Sequence, residues 1–264
     1  MKLIEVNKAG KQYGDNIVLE KLNFTVSAGE FCTLVGTSGC GKTTFLRMLL
    51  GEEQPSQGEI LMDGKPLPCE PGPDRGVVFQ RYSVMPHLTV LGNVMLGPEL
   101  KTGGIFARAF GARRTAIRRE AETLLDAVGL GHALSRYPAE LSGGMQQRLA
   151  IAQALIMKPR ILLLDEPFGA LDPGIRADMH ELVLRLWRET GVTVFMVTHD
   201  LKEGFSLGTR LMVFDKIRRD AQAPNAYGAT ITYDLPLKHA DKALQKNIAS
   251  EVAQTSQLLA GAML

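Results

Sequence analysis

Short, continuous apolar runs alternate along this chain with stretches of helical period. Ile161 to Leu164, Val192 to Val197 and Leu211 to Phe214 are such runs, and parallel strands covered on both faces read this way. Phe31 to Val35 is another, a buried strand feeding a glycine-rich loop that starts at Gly36. Leu22, Phe24 and Val26 alternate with polar residues, as in a half-buried strand. Ile60-Leu61-Met62 followed by Asp63-Gly64 reads as a strand entering a tight hairpin turn. Gly76 to Phe79 is a further strand that leads to Gln80. Helical spacing begins at Lys42, with Phe45, Leu46, Leu49 and Leu50 on one face and Gly51 as the stop. It recurs over Ile117 to Val128, and again after Ser142 with Leu149, Ala152, Leu155 and Ile156 until Pro159. Near the end, Ile231, Tyr233 and Leu235 alternate, and a helical stretch follows through Leu244, Ile248, Val252 and Leu258. The sum predicts an α/β core interrupted by a helical insertion near residues 87–150, with no internal repeat.

Composition narrows the class. The 264 residues suffice for one large domain, or one core with an inserted subdomain. A formal net charge of +2 offers no global field for nucleic acid, so no nucleic-acid partner is expected. No apolar run nears the roughly 18 residues of a membrane span, and the MKLIEV start has no signal-peptide core, so a cytoplasmic location is expected. Cys32, Cys40 and Cys69 are too few and scattered for a disulfide framework or a four-ligand zinc site.

The chemistry enters at Gly36-Thr37-Ser38-Gly39-Cys40-Gly41-Lys42-Thr43, which fits G-x-x-x-x-G-K-[ST]. Its glycines let the backbone wrap closely around phosphate oxygens, and the following helix adds its positive end. Lys42 would reach the β- and γ-phosphates of a nucleotide and the Thr43 hydroxyl would ligate Mg²⁺, with Thr44 next in the loop. A chance match is expected in about 1% of chains this long, and here a strand precedes and a helix follows. Cys40 reads as a spacer inside the loop, with a redox switch as the alternative. A second element, Ile161-Leu162-Leu163-Leu164-Asp165-Glu166, is an apolar strand ending in two carboxylates. Asp165 would hold Mg²⁺ through water, and Glu166 would act as general base toward an attacking water.

Leu141-Ser142-Gly143-Gly144-Met145-Gln146-Gln147-Arg148 resembles the signature sequence of ABC transporter ATPases. Physically it is another anion cradle, a serine hydroxyl and glycine N–H groups at a helix start. The resemblance covers residues 1 to about 215 and implies a P-loop NTPase (RecA-like) core with an antiparallel β subdomain and an inserted α-helical subdomain. It implies that Ser142, Gly143, Gly144 and Gln146 cap the γ-phosphate of a nucleotide bound by a partner subunit, in a head-to-tail dimer with two ATP molecules. By the same resemblance, Tyr13 is the aromatic that stacks on adenine, and Gln80 senses Mg²⁺ and the attacking water. Asp172, in Gly169-Ala170-Leu171-Asp172, reaches across the dimer, and His199 contacts the γ-phosphate. The implied boundaries are 1–86 with 150–215 for the ATP-binding core, 87–149 for the helical subdomain and 216–264 for a C-terminal strand and helix extension.

Phe168 to Asp172, Trp187 and Thr198 to Glu203 resemble importer ATPases of the nitrate, sulfonate, taurine and bicarbonate group. Gly204 and Thr209 depart from that group, which more often has Ala and Asp there, and residues 101–115 look like an insertion. The resemblance implies an ATPase that drives solute uptake through a separate transmembrane permease. A second, identical or related ATPase subunit and a solute-binding protein would act with it, and the ATPase would sit at the inner face of the membrane. An ABC exporter or lipid-trafficking ATPase is the alternative, ahead of a soluble ABC ATPase acting on DNA or ribosomes. Long coiled-coil inserts or tandem motor domains would mark that last class, and the chain has neither. The basic stretch 101–119 reads as a solvated face, with lipid or permease contact as its alternative.

Overall fold

The computed structural model describes residues 1–79, 84–103, 111–218, 220, 222–223 and 225–237. In chain order the elements are β1 (Lys2–Tyr13), β2 (Asn16–Ser27), β3 (Phe31–Gly36), α1 (Lys42–Leu50), β4 (Gln57–Met62), β5 (Lys65–Pro66), β6 (Arg75–Val78), α2 (Val90–Gly103) and α3 (Gly111–Ala127). They continue as α4 (Gly143–Leu155), β7 (Ile161–Asp165), α5 (Pro173–Thr190), β8 (Thr193–Val197), α6 (Leu201–Leu207), β9 (Arg210–Asp215) and β10 (Thr230–Pro236). The chain divides into two compact units: Met1–Gly72 with the described residues from Gly191 onward, and Pro73–Thr190.

The first unit holds an antiparallel sheet in the order β2-β1-β4-β5. Leu22, Phe24 and Val26 of β2 are buried while Asn23 and Thr25 are exposed, the alternation the sequence predicts. Asp63 and Gly64 both take positive φ, 52° and 72°, between the paired residues Met62 and Lys65. That is the backbone a two-residue type I′ hairpin requires.

Beside this sheet, β3 pairs in parallel with both β8 and β9, and β10 closes the edge antiparallel to β9. Every residue of β3 and β8 is buried, as expected for central parallel strands. Phe45 of α1 anchors the helix, its ring centroid 5.6 Å from Phe24, 6.3 Å from Phe195 and 5.7 Å from Phe214. Gly51 ends α1 in the left-handed conformation, φ 90°, returning its N–H to the carbonyls of Arg47 and Met48. Arg210 ties β10 in place: two bonds of 2.6 Å to Asp234, one of 2.6 Å to the Thr25 carbonyl and one of 3.2 Å to Glu30. Tyr233 and Leu235 pack on Leu211 and Val213, so the predicted alternation is that of an edge strand. The helix expected through Leu244 and Leu258 lies outside the described residues.

The second unit pairs β6 with β7 in parallel, packs α4 against β6, and sets α2, α3 and α5 against α4. The helix expected over Ile117 to Val128 starts earlier, at Gly111, and buries Ile117, Ala121 and Leu125. In α2, Asn93 is buried and acts as a staple. Its amide donates to the carbonyls of Met85, Leu88 and Thr89 at 3.0–3.1 Å, and its oxygen accepts from the Met85 N–H at 2.7 Å and from Gln153 at 3.2 Å. No helix among the described residues is long and apolar enough to cross a membrane.

Candidate nucleotide site

In the first unit, β3 ends at Gly36 and the loop to α1 turns on three glycines with positive φ: Gly36 (151°), Gly39 (79°) and Gly41 (89°). Two of them are also closed to any side chain. A Cβ at Gly36 would lie 2.2 Å from the Phe214 carbonyl oxygen, and one at Gly41 would lie 2.7 Å from Leu19. The loop can therefore follow this path against its neighbours only with glycine at those two positions. Lys42 is 5% exposed, and its Nζ donates to the carbonyls of Gly36 and Thr37, each at 2.8 Å. The cation thus closes the loop on itself, with a fixed positive charge at its centre. Thr43 and Thr44 follow in the first turn of α1.

Cys40 is buried, with its sulfur 3.6 Å from Lys42 Nζ. Burial pushes its thiol up, and the Lys42 ammonium only partly offsets that. A thiol held protonated supports the spacer reading over the redox switch.

His199 belongs to the same unit. β8 runs parallel to β3 with Val197 opposite Leu34, and the Thr198 N–H donates to the Leu34 carbonyl at 3.1 Å. The exposed His199 therefore leaves β8 at the sheet end where β3 enters the phosphate loop. Its turn is fixed by a buried pair that the sequence reading missed: Thr198 Oγ1 donates to Glu203 Oε2 at 2.7 Å and accepts from the Asp200 N–H at 3.0 Å. Tyr13, at the end of β1, is 45% exposed.

The second unit carries the other candidates. Asp165 ends β7 buried, and Glu166 follows with φ 47°. A non-glycine residue in the left-handed region costs about 1 kcal/mol or more, and here it falls on the residue that the sequence reading expects as general base. Asp172 is exposed just before α5. Ser142 is the N-cap of α4, in extended conformation, and accepts from the Met145 N–H at 3.4 Å. Gly144 packs against Ile175, where a Cβ would meet a methyl at 2.7 Å. Gln146 points its amide back to the Pro138 carbonyl at 2.9 Å, bracing the turn before the helix. Gln80 lies outside the described residues.

Thr43 offers a hydroxyl and Asp165 a carboxylate, the hard oxygen donors that Mg²⁺ takes alongside nucleotide phosphates. The residue types fit the ion.

Comparison with known proteins shows the family and the fold. The model of the ABC transporter family matches residues 19–169. The bicarbonate transport ATP-binding protein CmpC of Synechocystis sp. is 44% identical over 200 residues, which make up 76% of this chain and 29% of that protein. The nitrate import ATP-binding protein NrtC of Synechococcus elongatus is 45% identical over 200 residues, again 76% of this chain and 29% of its own length. The chain thus spans about three tenths of the length of these two relatives. The dimeric, post-hydrolysis structure of the ATP-binding cassette MJ0796 bound to ADP and Pi superposes with a TM-score of 0.72 at 28% identity, over 90% of this chain and 100% of that one. The fold is therefore that of a nucleotide-binding cassette, with an antiparallel β part and helices added to a P-loop NTPase core.

Proposed function

Because the chain belongs to the ABC transporter family, we propose that it is the ATP-binding and ATP-hydrolysing subunit of an importer, driving solute uptake through a separate membrane permease. One observation carries the reading. Among the described residues, one glycine-bearing helix start is closed around buried Lys42 and another is capped by Ser142. One bound nucleotide needs one such cradle at its phosphates. The second then serves a nucleotide held by another ATPase subunit, identical or related, in a head-to-tail dimer. The names of the two relatives support import as the direction. A permease partner, a solute-binding protein and a place at the inner face of the membrane follow from that reading.

The chemistry assigned to the residues is as follows. The loop from Gly36 to Thr44 and Lys42 bind the β- and γ-phosphates and neutralise their charge. Tyr13 stacks on adenine. Thr43, Asp165 and Gln80 would hold Mg²⁺, which when bound screens the charge that develops between the β- and γ-phosphates. Glu166 accepts a proton from water as the water oxygen bonds to the γ-phosphorus. The bond from that phosphorus to the bridging oxygen breaks, and ADP leaves with the electron pair. His199 steadies the γ-phosphate. Ser142, Gly143, Gly144 and Gln146 of one subunit close over the γ-phosphate of the other, and Asp172 reaches across the dimer.

Glu166→Gln tests the reading. The variant should bind ATP, lose nearly all turnover and accumulate an ATP-bound dimer that co-purifies with a multispan permease from mild detergent extracts. Equal hydrolysis by wild type and variant would remove Glu166 from its role. Recovery of ribosomal or DNA-associated proteins alone would overturn the transport reading and leave the ATPase chemistry standing.

A further inference from the structure

Four charged or hydroxylated side chains surround Tyr13, and all of them lie in the first unit. The Tyr13 hydroxyl donates to the Glu53 carboxylate, and Thr44, at the start of α1, lies beside it and counts among the groups that act on its pKa. Lys11 Nζ lies 5.0 Å from the centre of the tyrosine ring and 3.2 Å from Glu53 Oε2. Arg47 reaches the other carboxylate oxygen at 3.7 Å. The Glu53 side chain is 17% exposed, and its N–H is returned to the Arg47 carbonyl just past the glycine that ends α1. Burial raises the Glu53 carboxyl, yet the Tyr13 hydroxyl, Lys11 and Arg47 outweigh it and hold the group below the usual carboxylate range. The acceptor is therefore charged at neutral pH.

An exposed tyrosine at the end of a strand has two side-chain torsions to lose when a base stacks on it. Here the far end of the ring is already tied down to a residue in the connection after α1, and a cation occupies the neighbourhood of one face. Glu53 is in turn held by the side chain and the carbonyl of Arg47 in α1, the helix that the phosphate loop enters, so ring and loop are joined through one helix before any nucleotide arrives.

We infer that Glu53 is a positioning residue for nucleotide binding: it holds the Tyr13 ring in the orientation in which adenine stacks, in register with the phosphate loop. This rests on the reading of Tyr13 as the adenine-stacking aromatic. Fixing the ring beforehand removes an ordering cost from binding, worth about fivefold in affinity.

The test measures dissociation constants for ADP and for inorganic tripolyphosphate on the full chain, by calorimetry. Tripolyphosphate takes the loop but brings no base. Glu53→Leu should weaken ADP about fivefold and leave tripolyphosphate unchanged. Glu53→Gln keeps an acceptor for the hydroxyl and should stay within about twofold of wild type for ADP. Tyr13→Phe removes the same bond from the other side without risk to Glu53's own ion pairs, and should weaken ADP as Glu53→Leu does. The double variant Glu53→Leu with Tyr13→Phe should be no worse than either single one. Parallel losses for ADP and tripolyphosphate would show that Glu53 supports the loop generally, and additive losses would show that it acts apart from Tyr13. Either result overturns the inference. So does unchanged ADP affinity in Glu53→Leu while Tyr13→Ala still weakens ADP more than tenfold, an outcome that leaves the stacking role intact. Unchanged ADP affinity in Tyr13→Ala instead removes the stacking role itself.

Discussion

The phosphate loop and the signature turn, the two anion cradles proposed at helix starts, are built in opposite ways. The first uses no side-chain cap at all. Gly41 precedes α1 in the left-handed conformation, and the loop's charge comes from Lys42, folded inward onto the carbonyls of Gly36 and Thr37. The second brings no cation of its own into the turn. Ser142 caps α4 from an extended backbone, and its hydroxyl takes the Met145 N–H at 3.4 Å, longer than the usual range for such a bond. A cradle that carries its own cation can bind an anion alone. One that offers a weakly engaged hydroxyl and a helix end is suited to closing over an anion already held elsewhere. The difference in construction agrees with the division of labour proposed for the two.

The largest break in that comparison is Lys42→Ala. It removes the side-chain cation that closes the first cradle and should lower ATP turnover by about 10²–10³-fold, the usual effect of deleting a preorganised donor at a charge-developing site. Steady-state phosphate release checks it. A loss under tenfold would mean that backbone and helix end alone suffice, and the two cradles would then be alike in kind. Next in size is a matched pair of glycine substitutions read by urea unfolding. Gly36→Ala places a methyl 2.2 Å from a backbone carbonyl at a φ of 151°, so nothing nearby can yield, and about 2–3 kcal/mol of stability should be lost. Gly144→Ala meets only the side chain of Ile175, itself 36% exposed and able to turn away, so the cost should stay below about 1 kcal/mol. Equal costs would show that the signature turn is as rigid as the phosphate loop.

Both cradles were legible in the sequence because each is a contiguous run whose chemistry depends on spacing alone. The Asp63-Gly64 hairpin and the strand alternation of β2 were legible for the same local reason. What stayed hidden was non-local or unpatterned. Helix α2 has apolar residues all round, Val90, Leu91, Val94, Met95 and Leu96, with Gly92, Gly97 and Pro98 among them, so no stripe of period 3.6 marks it. Asn93 looks like any polar residue until the fold brings three carbonyls to its amide. Glu53 stands 40 positions from Tyr13, and nothing in either segment announces the other. Glu166 reads as a carboxylate after a strand, but its left-handed backbone, φ 47°, exists only because the following turn over-determines it.

The smallest effect concerns Cys40, a titratable thiol that sits beside Lys42 in the first cradle. Burial raises the thiol, and the lysine 3.6 Å away lowers it by less. A raised thiol means a smaller thiolate fraction at any pH below it, and only thiolate reacts with alkylating reagents. Cys40 should therefore label more slowly than the exposed Cys69 at pH 8, and its rate should go on rising as pH increases beyond the ordinary thiol range. Adding ADP sharpens the result: phosphates draw the Lys42 ammonium away from the sulfur, so the Cys40 rate should fall further while that of Cys69 holds. Site-resolved alkylation followed by mass spectrometry gives both rates from one sample. Faster labelling at Cys40 than at Cys69 would mean that the lysine outweighs burial. The first cradle would then hold a reactive thiolate, and the redox-switch reading of Cys40 would displace the spacer.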